Sequence, residues 1–232
     1  MKPEPLVLLP GMMCDARLFT PQIEAFSCKR TVSIMPMQSH SDMASLAKNI
    51  LLQAPPRFAL AGLSMGGIVA MEVCRQAPER ISRLALLDTN PLAEAADKAA
   101  AREPQITAVH NGRLREVMRD EMKPNYLADG PYRQRILDIC MDMAEALGPT
   151  VFVRQSRALQ SRPDQTQTLQ RLTVPTMILC GEHDALCPPQ RHQMMHNLVA
   201  GSTLTIIKDA GHMPTLEQPA VTTAALDQWL RN

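Results

Sequence analysis

Aromatic residues are scarce in this chain: four Phe, two Tyr and one Trp make up 3% of 232 residues. A core and any pocket must therefore be filled by aliphatic and thioether side chains, and the 16 methionines suit irregular shapes. Net charge is also lacking, at +1, so no electrostatic footprint for nucleic acid or an anionic membrane surface is present. Long apolar runs are missing as well. The longest, Phe58 to Met71, falls short of the roughly 18 residues of a membrane span and is interrupted by Ser64 and three glycines. Only four apolar residues, Leu6 to Leu9, precede Pro10, too few for the h-region of a secretory signal. No CxxC pair occurs among Cys14, Cys28, Cys74, Cys140, Cys180 and Cys187, which points to free thiols and a cytoplasmic protein. No repeat or low-complexity segment is visible.

Against these absences stands a clear alternation. The runs 5–10, 31–36, 57–63, 81–88, 174–181 and 202–209 are short and nearly all apolar, as parallel strands covered on both faces must be. Helical stretches follow at about 41–53, 65–77, 188–199 and 216–230, with Pro55 and Pro78 as stops. The expected architecture is α/β: six parallel strands with helices on both faces and right-handed crossovers.

The rhythm breaks between Pro91 and Thr168. Here "RLREVMRDEM" (113–122) and "YRQRILDICMDMAEAL" (132–147) have helical spacing and no strand is evident. We read 91–168 as a helical cap inserted into a core formed by 1–90 and 169–232. Eleven Lys/Arg balance eleven Asp/Glu between 92 and 165, which reads as solvated helix faces.

"ALAGLSMGGIVAME" (59–72) contains Gly62-Leu63-Ser64-Met65-Gly66, a G-x-S-x-G placed between a strand and a helix. That is the setting of a nucleophile elbow, in which a sharp turn pushes the serine hydroxyl above the sheet. Flanking side chains would collide across such a turn, and Gly67 would let the helix lie close to the strand. The helix N-terminus brings free N–H groups beside the serine.

Partners follow in the order Ser, Asp, His. His212 lies in "KDAGHMPTLEQP", after the last strand and before the last helix, where a general base belongs. "CGEHDALCPP" supplies Asp184 as the acid that orients it. Asp88, at the end of "LALLD", competes for that role from one βα unit earlier; Asp209 is three residues from His212 and suits loop ordering. His183 comes from the wrong loop to be the base. His192 and His196 share a helix face, but the Glu of H-E-x-x-H and a third ligand are missing. The Gly-x-x-x-x-Gly-Lys pattern is lacking, so phosphate cradling is unsupported. Cys14, near the first loop, reads as a bystander.

Through "LLPGMMCDARLF", "GLSMGG", "GEHDALCPP" and "GHMPTLEQP" the chain resembles the α/β-hydrolases of the small esterase/lactonase branch. This branch includes 3-oxoadipate enol-lactonases and pimeloyl-carrier-protein methyl ester esterases. The resemblance covers about 5–90 and 170–230. Three departures stand out. Pro10-Gly11 replaces His-Gly, the strand pair usual before that loop is absent, and "MPMQSHSD" replaces a pocket-rimming loop.

The resemblance implies an oxyanion hole from the backbone N–H groups of Met12 and Met65, with Gly11 making the turn and close approach. It implies acyl transfer through Ser64, His212 and Asp184 on a small ester or lactone, with no cofactor, metal, nucleic-acid or membrane partner. Thioester cleavage, C–C cleavage and perhydrolysis use the same triad, and a ligand receptor on this fold is the rival from another class. Met13, Met213 and the cap residues Met118, Met122, Met141 and Leu147 are expected to line the pocket.

Overall fold

The computed structural model describes residues 3–231. Six strands, β1 (Leu6–Leu9), β2 (Val32–Ile34), β3 (Phe58–Leu63), β4 (Ile81–Leu87), β5 (Thr176–Gly181) and β6 (Thr203–Ile207), form one sheet in the order β2-β1-β3-β4-β5-β6. Every neighbouring pair is parallel, and each strand falls inside one of the six apolar runs. Period-2 alternation splits those runs between two cores. Val7, Leu9, Phe58 and Leu60 enter one; Leu6, Leu8, Ala59, Ala61 and Leu63 enter the other. Each Leu so buried contributes about 1.5–3 kcal/mol relative to exposure.

The first core is covered by α2 (Met43–Gln53), α3 (Met65–Gln76) and α8 (Pro189–Leu198), through residues such as Leu46, Val69 and Met195. The second is covered by α1 (Thr20–Phe26) and α10 (Pro219–Arg231), through Phe26 and Leu226. Helix α2 is capped by Asp42, whose side chain accepts from the Ser45 N–H at 2.7 Å. Two details depart from the sequence reading. Helix α1 has only seven residues, too few for a periodic signal. The expected helix 216–230 is two helices, α9 (Pro214–Glu217) and α10, because Pro219 pushes Gln218 out of the helical region (φ −131°, ψ 61°).

Between β4 and β5 lie α4 (Ala96–His110), α5 (Leu114–Glu116) continuing into a π-helical turn Val117–Met122 and a 3-10 turn Lys123–Asn125, α6 (Arg133–Gln160) and α7 (Thr166–Gln170), with no strand. Gly148, at φ 80° and ψ 177°, breaks α6 into two arms, and Pro149 begins the second. The first arm sends Ile136, Cys140 and Met143 into the second core, whereas the second arm sends Phe152 and Ala158 into the first. The insertion thus straddles the sheet. Its ends meet: the Gln165 N–H donates to the Pro91 carbonyl at 2.7 Å.

The order of the sheet positions the site. From β1 the chain goes first to β2 on one side and then to β3 on the other, which opens a crevice at the carboxyl ends of β1 and β3. Gly11 and Ser64 follow those two ends.

Candidate active site

Ser64 has φ 55° and ψ −118°, a conformation that costs a non-glycine residue about 1–3 kcal/mol. Neighbours over-determine it. Its N–H donates to the Leu87 carbonyl at 2.9 Å, and its carbonyl accepts from Thr89 Oγ1 at 2.7 Å. The glycines around it answer to backbone crowding. A Cβ on Gly62 would stand 2.3 Å from the Gly66 carbonyl oxygen, one on Gly66 2.0 Å from the Leu9 carbonyl oxygen, and one on Gly67 2.6 Å from Thr89. The turn closes only without those side chains.

Ser64 Oγ lies 2.9 Å from His212 Nε2, and His212 Nδ1 lies 2.9 Å from both carboxylate oxygens of Asp184. Asp184 follows β5 and His212 follows β6. The two loops abut so tightly that a Cβ on Gly181 would meet the Gly211 carbonyl oxygen at 1.9 Å. Asp184 Oδ1 also accepts the N–H groups of Leu186 and Cys187 at 2.9 Å. Burial pushes the Asp184 carboxyl up, but His212 and these two amides outweigh it and hold it below the usual carboxylate range. An imidazole oriented in this way can take the Ser64 proton while the carboxylate stabilises the resulting charge.

Asp88 is placed differently. It is fully buried at φ 44°, with Oδ1 accepting the Gly181 N–H at 2.8 Å and Oδ2 without a hydrogen-bond partner among the described residues. Burial and the neighbouring Asp184 push its carboxyl well above the ordinary value, the opposite direction from the acid that faces His212. Asp209 is exposed, with its carbonyl held by Gln218. His183 is exposed beside Glu182.

In the first loop the left-handed residue is Met13 (φ 54°), not Gly11. Nor does crowding require a glycine at 11: a Cβ there would make an ordinary contact, 3.4 Å from Ser64 Cβ. The Met13 N–H is consumed by Gln155 Oε1 at 2.8 Å, and Gln155 Nε2 donates to the Met37 carbonyl at 2.9 Å. The Met12 and Met65 amides have no acceptor among the described residues, which leaves both available beside Ser64.

A cavity of about 530 Å³ opens over the serine, lined by Ser64, His212 and the methionines Met12, Met65, Met122 and Met213. Met13, Met118, Met141 and Leu147 do not line it. Met13 and Met118 are fully buried, and the π-helical turn carrying Met118 aims it into the first core; Met141 and Leu147 pack against that core from the first arm of α6. The insertion instead contributes Glu94, Arg102, Tyr126, Leu159 and Arg162 to the wall, so that wall is more charged than the methionine spacing suggested.

Further residues escaped the sequence. The His212 N–H donates to the Tyr126 carbonyl at 2.7 Å. Glu217 gathers three backbone N–H groups, of Ala128 (2.8 Å), Gly211 (2.8 Å) and Met213 (2.9 Å), and so ties the histidine loop to the insertion. The Glu that ends "HMPTLE", five residues after His212, was the available signal. His192 is buried, with Nε2 accepting the Thr89 N–H at 3.0 Å and Nδ1 on the Pro188 carbonyl; burial pushes its pKa down to about 4. His196 Nδ1 is engaged by Ser202 at 2.8 Å.

Asp184, Cys187 and His212 bring an oxygen, a sulfur and a nitrogen within 4.8 Å of one another. Burial pushes the Cys187 thiol well up, which opposes the thiolate that a metal ion requires, and His212 and Asp184 are already engaged with each other.

Comparison with known proteins bears on the family and the fold. A pimeloyl-acyl-carrier-protein methyl ester esterase of Klebsiella pneumoniae is 26% identical over 93% of this chain and 89% of its own. A thermophilic esterase of Thermogutta terrifontis, solved with malate bound, superposes with a TM-score of 0.90 at 26% identity, covering 98% of this chain and 89% of that one. The enol-lactonase of Burkholderia xenovorans shares the fold at a TM-score of 0.87 and 20% identity, over 99% and 92% of the two chains. The alpha/beta hydrolase family profile matches residues 6–226, nearly the whole of the sheet, the elbow and the insertion, and the chain belongs to that family.

Proposed function

We propose that this chain is a serine hydrolase of small carboxylic esters or lactones, working through an acyl-enzyme. The observation that carries the reading is the unbroken relay Ser64–His212–Asp184, with 2.9 Å at each link. Ser64 Oγ attacks the carbonyl carbon as His212 Nε2 takes its proton. The tetrahedral oxyanion is held by the Met12 and Met65 amides, the second reinforced by the N-terminus of α3. Collapse breaks the bond to the alcohol, which leaves with the proton from His212. Water, deprotonated by the same imidazole, then attacks the acyl carbon and restores Ser64.

Residues 91–168 act in this reading as the cap that walls the cavity. No cofactor enters the cycle. The methyl ester and lactone names of the relatives fall within the same acyl-transfer class, and the chain's six free cysteines suit a reducing cytoplasm. The test is multiple turnover of p-nitrophenyl acetate and butyrate with stoichiometric labelling of Ser64 by an organophosphonate. A single burst without turnover would favour a receptor instead.

A further inference from the structure

Two residues beside the site have no part in the cycle proposed above: Thr89, in the loop after β4, and His192, in α8. Both are fully buried. Thr89 touches the elbow twice. Its Oγ1 donates to the Ser64 carbonyl at 2.7 Å, and its side chain fills the space where a Cβ on Gly67 would stand, 2.6 Å away. The same carbonyl accepts the Gly67 and Ile68 N–H groups, at 2.9 and 3.2 Å, as the first turn of α3 begins. Of these three donors, Thr89 alone comes from outside the elbow and its helix. The carbonyl belongs to the peptide unit between Ser64 and Met65. A peptide unit is planar and trans, so its C=O and N–H point in opposite directions and turn together. Whatever fixes the Ser64 carbonyl therefore aims the Met65 N–H.

Thr89 is in turn held by His192. The Thr89 N–H donates to His192 Nε2 at 3.0 Å, and His192 Nδ1 lies 3.3 Å from the Pro188 carbonyl. An amide N–H can only donate, so Nε2 carries no proton and Nδ1 does; the ring is neutral and donates to Pro188. Burial favours that neutral form. Leu186 and Cys187, the two residues before Pro188, give their N–H groups to Asp184. One ring thus joins the loop that holds the carboxylate to the loop that holds the elbow. A leucine would fill the volume as well. What the imidazole adds is an acceptor and a donor on one rigid frame.

We propose that Thr89 and His192 are positioning residues for the oxyanion hole: Thr89 orients the Ser64–Met65 peptide so that its N–H faces the developing oxyanion, and His192 holds Thr89 in place. This inference rests on the hydrolase reading above and extends it to the residues that aim one of its donors. Its effect belongs to the transition state, because a ground-state carbonyl asks less of the amide than an oxyanion does.

The test pairs turnover of p-nitrophenyl butyrate with inhibition by propyl trifluoromethyl ketone. Ser64 Oγ adds to the ketone carbon, its proton passes to His212, and the carbonyl oxygen becomes an oxyanion facing the same amides. Thr89→Val keeps the shape and removes the hydroxyl. It should lower kcat about tenfold with little change in KM, and raise the ketone Ki by the same factor. Thr89→Ser should keep most of the activity. His192→Leu should cost about as much as Thr89→Val, and His192→Gln, whose amide oxygen can accept the Thr89 N–H, should recover most of that loss. The double variant Thr89→Val/His192→Leu should lose little more than either alone, because the two act in series. A merely structural role would lower Tm without moving kcat and Ki together. Wild-type kcat and Ki in Thr89→Val overturn the inference, and Ser64-dependent turnover then leaves the hydrolase reading standing. Wild-type values in His192→Leu alone overturn the part given to His192. If the wild type neither turns over the ester nor binds the ketone, the hydrolase reading fails and this inference falls with it.

Discussion

The carboxyl edge of the sheet and the helical insertion build one cavity, but they hold their residues by different means. At the sheet edge, each proposed reactive group follows a strand whose register is locked, Ser64 one position past β3, Asp184 three past β5 and His212 five past β6: Leu63 opposite Leu87, Gly181 opposite Ile207. Displacing Ser64 or Asp184 would require the sheet to move. The insertion is held by side chains reaching across to backbone, Gln155 to Met13 and Met37 and Glu217 to Ala128, and by two ends pinned at Pro91 and Gln165. Chemistry is placed on the rigid side, while shape and charge are placed on the side that a few hydrogen bonds adjust.

The largest test of that division is Ser64→Ala. It should lower kcat by about 10⁶-fold with the fold retained, since the elbow favours a small residue; circular dichroism and single-turnover kinetics check both halves. Undiminished activity would move the nucleophile elsewhere.

Next in size is the contrast between two neighbouring carboxyls. Asp184→Asn should cost about 10⁴-fold in kcat, on the scale known for the serine-protease acid. Asp88→Asn should cost less than about tenfold. Because the Asp88 pKa is raised in the folded state, the native protein holds a proton that the unfolded chain loses as pH climbs past about 4. Stability therefore declines above that pH, and Asp88→Asn should gain on the wild type there in urea melts. The reverse activity ranking would make Asp88 the acid.

A third test stays within the sheet half and leaves the chemistry aside. With His192 depressed to about 4, the unfolded chain binds the extra proton between roughly pH 6.5 and 4, so stability falls as pH drops through that window, by about 3 kcal/mol in all. His192→Gln should flatten this slope in denaturant melts across the same range. An unchanged slope would show that His192 titrates normally.

The smallest effect belongs to the junction. Glu217→Gln leaves one carbonyl oxygen to serve three N–H groups and puts an NH₂ where an acceptor stood. We expect about a tenfold loss in kcat, little change in KM, and faster hydrogen exchange at Gly211 and Met213. Equal loss in both parameters would mean that the cavity itself, and not the base, had shifted.

The same division decides what could be read from the sequence. Strand positions and the loops carrying Ser64, Asp184 and His212 were legible because burial on both faces forces continuous apolar runs and because the elbow demands glycine at 62 and 66. The pocket was not. Met118 and Met122 are four residues apart and read as one helix face, and both pack on the first core, but Met118 is fully buried there and only Met122 also reaches the cavity. Equal totals of Lys/Arg and Asp/Glu in the insertion concealed the wall, because a net charge is silent about which residues fold inward. Asp88 and His192 were visible as residue types, but burial, which sets their protonation, comes only from packing.

Gln155 has one more consequence. It lies in the second arm of α6, and its amide holds the loop that carries the Met12 N–H, while the Tyr126 carbonyl holds the His212 backbone. The insertion therefore behaves as an interlock. Under the proposed mechanism, a chain whose sheet has formed but whose helices are still unseated has its serine on the elbow and yet no aligned oxyanion hole or base, and it should be inert. Ester cleavage then reports complete assembly, and under rising urea it should vanish before the sheet melts.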